Sequence, residues 1–430
     1  MLLQVGCKSH GVNMPERVWD ECDVAIVGGG PAGMMAGLLL ARAGLDVLVL
    51  EKHADFLRDF RGDTVHPSTM EILSELGLLE RFLERPYHRI NGAQIDYNGR
   101  LLTIGDLSHL RMPAPFIALM PQWDFLDFLR DEAKAFPGFR LRMEADVTDV
   151  TDAAGRVTGV RLAGGEQIAA RKLVLMCDGR TSLARTMLPL ENLGAPIDVF
   201  WFAVPKTYEI DKLRGVIRGY RLIVLLDRGN YFQCAFVIAK GGADEIRARG
   251  IAAFREDIRT AVPDLPALEE SLPDWDAVRL LSVTLDRLTQ WSRPGLLAIG
   301  DAAHAMSPVG GIGINLAIAD AVAAANILAA PLARGHDADA LLALVQARRM
   351  FPTRIVQGAQ RLAHERVLRP LIEGRATMPE KPPLVLRLLD GFPLLRRIPG
   401  RLIGRGVRQE HVRSPLAKSA KPQSETPPAP

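Results

Sequence analysis

The run Asp23-Val24-Ala25-Ile26-Val27 leads directly into Gly28-Gly29-Gly30-Pro31-Ala32-Gly33, and Met34 to Ala43 continues as an apolar, alanine- and leucine-rich segment. Gly44 ends that segment, and Asp46 to Leu50 is a second apolar run closing on Glu51. Short, wholly apolar runs suit strands buried on both faces of a parallel sheet. The order therefore reads strand, glycine turn, helix, strand. Gly28 suits the tight turn, Gly30 lets a pyrophosphate approach the backbone, and Gly33 lets helix and strand pack closely. Free amides and the positive dipole end at the helix start favour phosphate. Glu51, 23 residues after Gly28, is placed to accept hydrogen bonds from ribose hydroxyls. A lone G-x-G-x-x-G describes a tight turn in any α/β protein, but with both strands, the helix and the acid it points to a dinucleotide. NAD and FAD share their adenosine end, so this feature alone does not choose between them.

At 430 residues the chain exceeds one small core, and two closely packed domains are expected. A net charge of +3 gives no sign of a nucleic-acid partner. Cys7, Cys22, Cys177 and Cys234 show no metal-ligand spacing and are too sparse for a disulfide scaffold, so no metal is expected and a reducing cytoplasm is the default. The first residues lack the apolar core of a signal peptide, and no window of ~20 continuous apolar residues is evident. The expectation is a soluble, cytoplasmic protein.

A second glycine-rich segment, GLLAIGDAAHAMSPVGGIGINLAIAD, spans Gly295 to Asp320. An apolar run stops at Gly300-Asp301, a loop carries Pro308, Gly310, Gly311 and Gly313, and Asn315 opens an apolar helical stretch. Between the two glycine loops the texture changes. Phe139 to Asp178 reads as a β-meander with turns at Ala153–Gly155 and Gly164-Gly165, ending in Cys177-Asp178-Gly179-Arg180-Thr181-Ser182. Residues 198–284 hold further strand candidates, with a hairpin turn at Asp227–Asn230. Ser68 and Glu71 form an S-x-x-E capping box ahead of Ile72, Leu73, Leu76 and Leu79. Arg61 and Gln122 stand at helix entries, where polar residues face solvent in many proteins.

Three motifs in this order, GGGPAG with Glu51, CDGRTSLAR at 177–185 and GDAAHAMSPVGGIGINLA at 300–317, resemble those of the single-component FAD-dependent aromatic hydroxylases, the group of para-hydroxybenzoate hydroxylase and the ubiquinone-pathway hydroxylases. The resemblance spans about residues 22–350; Cys177 replaces the usual alanine. It implies an α/β architecture, with a Rossmann-like FAD-binding domain interleaved with a β-sheet substrate domain and followed by C-terminal helices. The corresponding boundaries are an extension over 1–21, a FAD domain of 22–92, 120–190 and 285–375, and a substrate domain of 93–119 and 191–284.

The resemblance also implies non-covalent FAD, with NADH or NADPH docking transiently near the Asp-Gly motif, since no second G-x-G-x-x-G is present. Carried over by motif, the cofactor-binding set is Gly28, Gly30, Pro31, Ala32, Gly33, Glu51, Lys52, Arg61, Gln122, Val147, Asp178, Gly179, Gly300, Asp301, Pro308, Gly311, Gly313, Ile314 and Asn315. Arg61 and Gln122 would reach the pyrophosphate and ribityl region, Asp301 a ribityl hydroxyl, and residues 313–315 the flavin pyrimidine edge. His304 is expected to be structural. No catalytic side chain is assigned. The chemistry implied is hydroxylation of an aromatic, quinone-like or polyketide-like molecule through a flavin hydroperoxide. Phe200, Trp201, Phe202, Tyr231, Phe232 and Phe236 are candidates for the substrate cavity. Strand alternation sends about half of them into packing instead. Trp201, Phe232 and Phe236, with Pro308, are placed on the wall.

Two other classes stay open. A reductase, dehydrogenase or halogenase shares the fold, although Trp201-Phe202-Ala203-Val204-Pro205 does not match the halogenase Trp-x-Trp-x-Ile-Pro. A non-catalytic flavin-fold binder would have no need of Asp301, Gly313 and Asn315 together. Residues 376–413 form a basic arm, with six arginines between Leu395 and Ser414 against one glutamate. It is expected to pack on the parent domain, with weak peripheral membrane contact as the alternative. Residues 414–430 are Pro/Ser/Lys-rich and expected to be disordered. A thioredoxin-like extra domain is not expected, and a monomer or homodimer is expected.

Overall fold

A computed structural model describes residues 21–57, 64–372 and 380–417. The N-terminal extension up to Asp20 and Arg61 lie outside the described residues. Strand Glu21–Val27 pairs in parallel with Val47–Leu50 on one side and with Gln167–Met176 on the other. The sheet continues outward to Phe139–Arg142 and to Leu296–Ala298. Val24, Ala25, Ile26, Val47, Leu48 and Val49 are fully buried, which is why these runs carry no alternation of polar and apolar residues. The meander Val147–Ala153, Arg156–Leu162 and Gln167–Met176 is antiparallel. Its first turn uses Ala154 and Gly155, both at positive φ, as a two-residue hairpin requires.

Helix Pro31–Arg42 lies against helix Gly313–Ala333, which in turn packs on helix Asp339–Ala363. Helix Gly313–Ala333, 21 residues, is long and apolar enough by length and composition to cross a membrane, which corrects the expectation that no such window exists. Most of it is buried inside the protein. Its alanines let neighbouring helices approach, and its polar residues Asn315, Asp320 and Asn326 are each hydrogen-bonded within the protein.

The second layer is a seven-stranded sheet ordered Arg279–Ser282, Ile197–Pro205, Tyr231–Ala239, Arg221–Asp227, Leu213–Arg218, Gly92–Tyr97, Arg100–Asp106. Helices Ala243–Ala248, Ile251–Ala261 and Leu268–Ser271 supply side chains that cover one of its faces. Ile117–Leu119 joins Thr64–Val65 and His88–Ile90 in a small sheet instead, and that sheet packs on Leu226 and Trp201 of the larger one.

The arm folds as helices Leu384–Gly391 and Pro393–Gly404, both lying on edge strand Arg100–Asp106. A Cβ on Gly400 would fall 1.9 Å from the Asp106 carbonyl oxygen, so only glycine permits this approach. Covering a sheet edge in this way removes a template for aggregation. From Arg405 the chain returns over the first domain. Glu75 accepts from His411 Nδ1 (2.5 Å) and from the Val412 amide (2.7 Å), while Glu71 accepts from Gln409. Glu71, Glu75 and His411 also have the mutual spacing of metal ligands, and this docking accounts for the carboxylates. The expectation of disorder from residue 414 is corrected over 414–417, which are ordered against the first domain. Ser414 is buried, its carbonyl accepts from Arg42 Nη1 (2.8 Å), and the Ala417 amide bonds Arg42 O (3.0 Å). Residues 418–430 lie outside the described set.

The capping box is also corrected. Helix Pro67–Glu75 starts with Pro67 at its first position and His66 as the cap, and no side chain caps it. Proline's fixed φ sets the start one residue before Ser68, and Glu71 is thereby freed to meet the arm.

Candidate functional site

The first glycine turn is shaped by exclusion. A Cβ on Gly28, at φ +99°, would lie 2.5 Å from Cys177 O, and one on Gly33 would lie 2.0 Å from Gly28 O. At Gly30 the same test meets nothing within 4 Å, so open space lies beside the cap of a helix that begins with Pro31 and Ala32 and that no side chain caps. Glu51 is buried at the end of its strand. Its Oε2 accepts from the Gly29 amide (2.9 Å) and its Oε1 from the His53 amide (3.1 Å). Val147 is half-buried against the core two residues past Ala145, whose amide bonds Glu51 O. Lys52 is exposed and near enough to Asp178 to favour its ionised form.

Asp178 follows the strand that pairs with Glu21–Val27, and the Cys177 amide bonds Val27 O (2.7 Å). Asp178 Oδ2 accepts from the Leu183 amide (3.2 Å), whereas Oδ1 is buried with no hydrogen-bond partner among the described residues. Burial pushes the Asp178 carboxyl above the usual range, against bonds from Ser182 and Leu183 that lower it. A buried acceptor without a donor is rare in folded proteins, so this oxygen is available to accept from a ligand. Gly179, at φ +80°, has open space at its Cβ position.

The second glycine loop closes on the first. At Gly300, φ +61°, a Cβ would lie 3.1 Å from Ala32 Cβ and 3.2 Å from Ala317 Cβ. Asp301 Oδ2 accepts from Arg180 Nε (3.2 Å) and its carbonyl from Arg185 Nη2 (2.7 Å), which joins the Asp-Gly motif to the Gly-Asp motif. Arg180 and Arg185 as links were not foreseen. Pro308 is half-buried at the start of the loop, and Gly311, at φ +61°, has Thr64 Oγ1 only 2.5 Å from its Cβ position. Helix Gly313–Ala333 starts with no side-chain cap, leaving first-turn amides without intrahelical acceptors. Gln122 is half-buried at the first position of helix Gln122–Ala133.

The side chain of Asn315 is committed elsewhere. Its Oδ1 accepts from the His66 amide and Thr69 Oγ1, both at 2.8 Å, and its Nδ2 donates to Thr64 O (3.1 Å). Its backbone can still serve a ligand, while the amide group clamps the 64–69 segment to the helix start. His304 is buried and structural in geometry: its Nε2 lies 2.6 Å from Asp320 Oδ2. The fully buried Asp320 also takes the Gly300 amide (3.1 Å) and Arg349 Nε (2.7 Å), and Arg349 Nη1 reaches Glu410 of the arm (3.2 Å). Burial opposes ionisation of Asp320, but His304 and Arg349 outweigh it and hold its carboxyl below the usual range. Sequence reading missed this chain of charges, although an aspartate inside an otherwise apolar helix was its visible signal.

The aromatic wall needs a correction. Phe232 and Phe236, with Phe200 and Phe202, pack with Phe254 on the helix-covered face of the seven-stranded sheet. Trp201 points the other way, onto the clusters that hold Val199, Ala235 and Val237 and Ile90, Leu119 and Leu226; Val309 of the second glycine loop packs on the first of these. Alternation along a strand separates the two sets, and the amphipathic helix Ile251–Ala261 claims the phenylalanine face. Tyr231 is half-buried and shares the strand parity of Gln233 and Ala235, the Trp201 side.

Residues 21–359 match the model of the FAD-binding domain family. The chain is 32% identical over 410 residues to 6-methylpretetramide 4-monooxygenase of Streptomyces rimosus, covering 93% of this chain and 96% of that one. It is 31% identical over 317 residues to rifampicin monooxygenase of Streptomyces venezuelae, covering 70% of this chain and 62% of that longer relative. Among solved structures, pqsL, a probable FAD-dependent monooxygenase from Pseudomonas aeruginosa, superposes with TM-score 0.69 at 20% identity, over 83% of this chain and 99% of that one. An orphaned Asp178 oxygen, open space at Gly30 and two uncapped helix starts brought together suit FAD, the cofactor of this family. The chain belongs to the FAD-binding domain family and is an FAD-dependent oxidoreductase of the aromatic-hydroxylase-like monooxygenases.

Proposed function

We propose that the chain is an NAD(P)H- and O2-dependent monooxygenase that hydroxylates an aromatic, polyketide-like small molecule. The observation that carries this reading is the contact of Gly300 with Ala32 and Ala317, which turns two glycine loops roughly 270 residues apart into one site. Near full-length similarity to a monooxygenase named for 6-methylpretetramide supports the substrate class.

In this site the amides around Gly28, Gly30, Pro31, Ala32 and Gly33 and the dipole of their helix hold the pyrophosphate. Glu51 accepts from ribose hydroxyls, with Lys52 and Val147 flanking the adenosine. Gln122, Asp178 and Gly179 bind the middle of the cofactor, and Asp301 a ribityl hydroxyl. The amides of Gly313, Ile314 and Asn315 face the pyrimidine edge, where the helix N-terminus favours negative charge. When bound there, FAD would supply the redox chemistry of the reaction, with NAD(P)H as the reductant and O2 as the source of the oxygen atom added to an electron-rich ring. NAD(P)H docks beside the Asp-Gly motif. The Trp201 side of the seven-stranded sheet, on whose cluster Val309 packs, would position the ring and exclude water, with Pro308 beside it.

The test is the visible spectrum of the purified protein, followed by NAD(P)H oxidation, oxygen uptake and product mass with phenols and aromatic polyketides. A flavin spectrum and one added oxygen atom are expected. Protein that takes up no FAD refutes the assignment, and NAD(P)H consumption without oxygen in product makes the protein a reductase.

A further inference from the structure

The arm helices have two unlike sides. Their inner sides meet strand Arg100–Asp106 through Gly400 and through Asp390, whose Oδ1 accepts from the Thr103 amide (3.0 Å), while Gly404 lies against Leu107 and Leu110 just beyond that strand. Their outer sides therefore share one direction, away from the sheet. On that outer side Leu384, Val385, Phe392, Leu394 and Ile398 are each 58–69% exposed. Leu394, Ile398 and the also exposed Leu402 recur every fourth residue and form one stripe. Isolated exposed leucines are ordinary, whereas a contiguous cluster of this kind marks an interaction surface.

Charge selects the partner. Residues 380–413 carry eight Lys/Arg against three Asp/Glu. Glu410 is buried against Arg348 and Arg349, and Asp390 is occupied by Thr103 and Arg396. Lys381, Arg387, Arg397, Arg401, Arg405 and Arg408 are exposed. A second copy placed on this face by two-fold symmetry would set these cations against themselves. An anionic lipid surface satisfies both halves of the pattern, taking the apolar stripe below its headgroups and the guanidinium groups at its phosphates. Gly400 and Gly404, interruptions that weaken an isolated interfacial helix, here let it approach Asp106, Leu107 and Leu110 closely, so the face is formed before any membrane is met.

We propose that the outer face of the C-terminal arm docks this enzyme on an anionic bilayer surface. The proposal stands independently of the substrate reading. Its test is sedimentation of the full-length protein with vesicles of phosphatidylcholine alone and of equal parts phosphatidylcholine and phosphatidylglycerol, at low and high salt. Binding to the anionic vesicles at low salt is expected, weakening several-fold on phosphatidylcholine or at high salt. Leu394→Glu and Ile398→Glu, at positions exposed in the free protein, are each expected to weaken binding by roughly tenfold or more with unchanged melting temperature and flavin content. Arg397→Ala combined with Arg401→Ala is expected to weaken it by roughly tenfold. The proposal is overturned if the wild type ignores anionic vesicles or if the double arginine variant binds as well as the wild type. It is also overturned if the wild type is a dimer by light scattering that Leu394→Glu splits into monomers, which would assign the face to a second copy of the chain.

Discussion

Replacing Asp320 by asparagine keeps the shape of a fully buried side chain and removes its charge. The carboxylate now accepts three donors: His304 Nε2 at 2.6 Å, Arg349 Nε at 2.7 Å and the Gly300 amide at 3.1 Å. Asparagine brings an NH2 group into a pocket of donors, so at least one donor loses its acceptor, and among the described residues Arg349 keeps Glu410 alone as a counter-charge. Breaking a buried pair from one side costs about 3–5 kcal/mol. With Glu410 partly compensating, we expect about 3–4 kcal/mol. An unfolding entropy of about 2.1 cal/mol/K per residue, over 430 residues, translates this into a melting temperature lower by about 4 °C.

Loss of stability alone would not distinguish this network from any other core feature. The comparison is Phe254→Ala, which opens a cavity in the distant phenylalanine cluster at a similar cost of about 3–5 kcal/mol. Thermal shift and flavin content after gel filtration are measured on both variants. Asp320→Asn is expected to lose FAD while Phe254→Ala retains it, because Asp320 positions Gly300 and, through it, Asp301. Equal flavin retention in the two variants would refute the positioning argument, and an unchanged melting temperature in Asp320→Asn would refute the buried pair itself.

Three further outcomes are expected. Gly30→Ala folds normally but binds FAD poorly, because its methyl group enters open space, whereas Gly33→Ala destabilises the fold by colliding with Gly28 O; circular dichroism with flavin titration separates the two. Burial pushes the His66 imidazole down to about 4, against the bond to Ile403 O. Its folded value lies below the unfolded one, so protons favour the unfolded state. Stability is then full above about pH 6.5 and falls by about 3 kcal/mol toward pH 4; urea midpoints across that window check this, and His66→Gln should flatten the slope. Trp201→Ala should change kcat/KM for the aromatic substrate by about tenfold or more with flavin content intact. Phe236→Ala should instead cost about 3–4 kcal/mol of stability with little effect on KM, and a KM effect confined to Phe236→Ala would reverse the assignment of the two sheet faces.

What the sequence made legible follows from how local each signal is. In the Gly28–Gly33 turn the neighbours of Gly28 and Gly33 leave no room for a side chain, while Gly30 opens onto empty space, so pattern and constraint coincide at the two outer glycines. The same holds at Gly300, although its partner Ala32 is remote in the chain. Signals that depended on a distant partner went unread. Ser68 looks like a cap only until Pro67 is seen to start the helix. The side chain of Asn315 is fixed by Thr64, His66 and Thr69, which no pattern near 315 contains. Strand alternation divided the aromatic residues into two sets but not which set faced the loop, because that depends on where helix Ile251–Ala261 docks. The single glutamate among six arginines in the arm was visible; that it closes a line of charges to Gly300 required the fold.

The central strand Glu21–Val27 has consequences for how the protein is made. One of its neighbours, Val47–Leu50, follows almost at once, but the other, Gln167–Met176, lies roughly 140 residues downstream. At ribosomal speeds that interval is on the order of ten seconds, during which an apolar strand has one unpaired edge in the growing chain. The glycine turn exists early, yet Asp301 and the helix that completes the pocket emerge only after a whole intervening sheet has been synthesised, and Glu410 later still. Cofactor capture is therefore a late event in biogenesis. Slower translation or lower temperature during expression should raise the flavin-loaded fraction more than free riboflavin in the medium does.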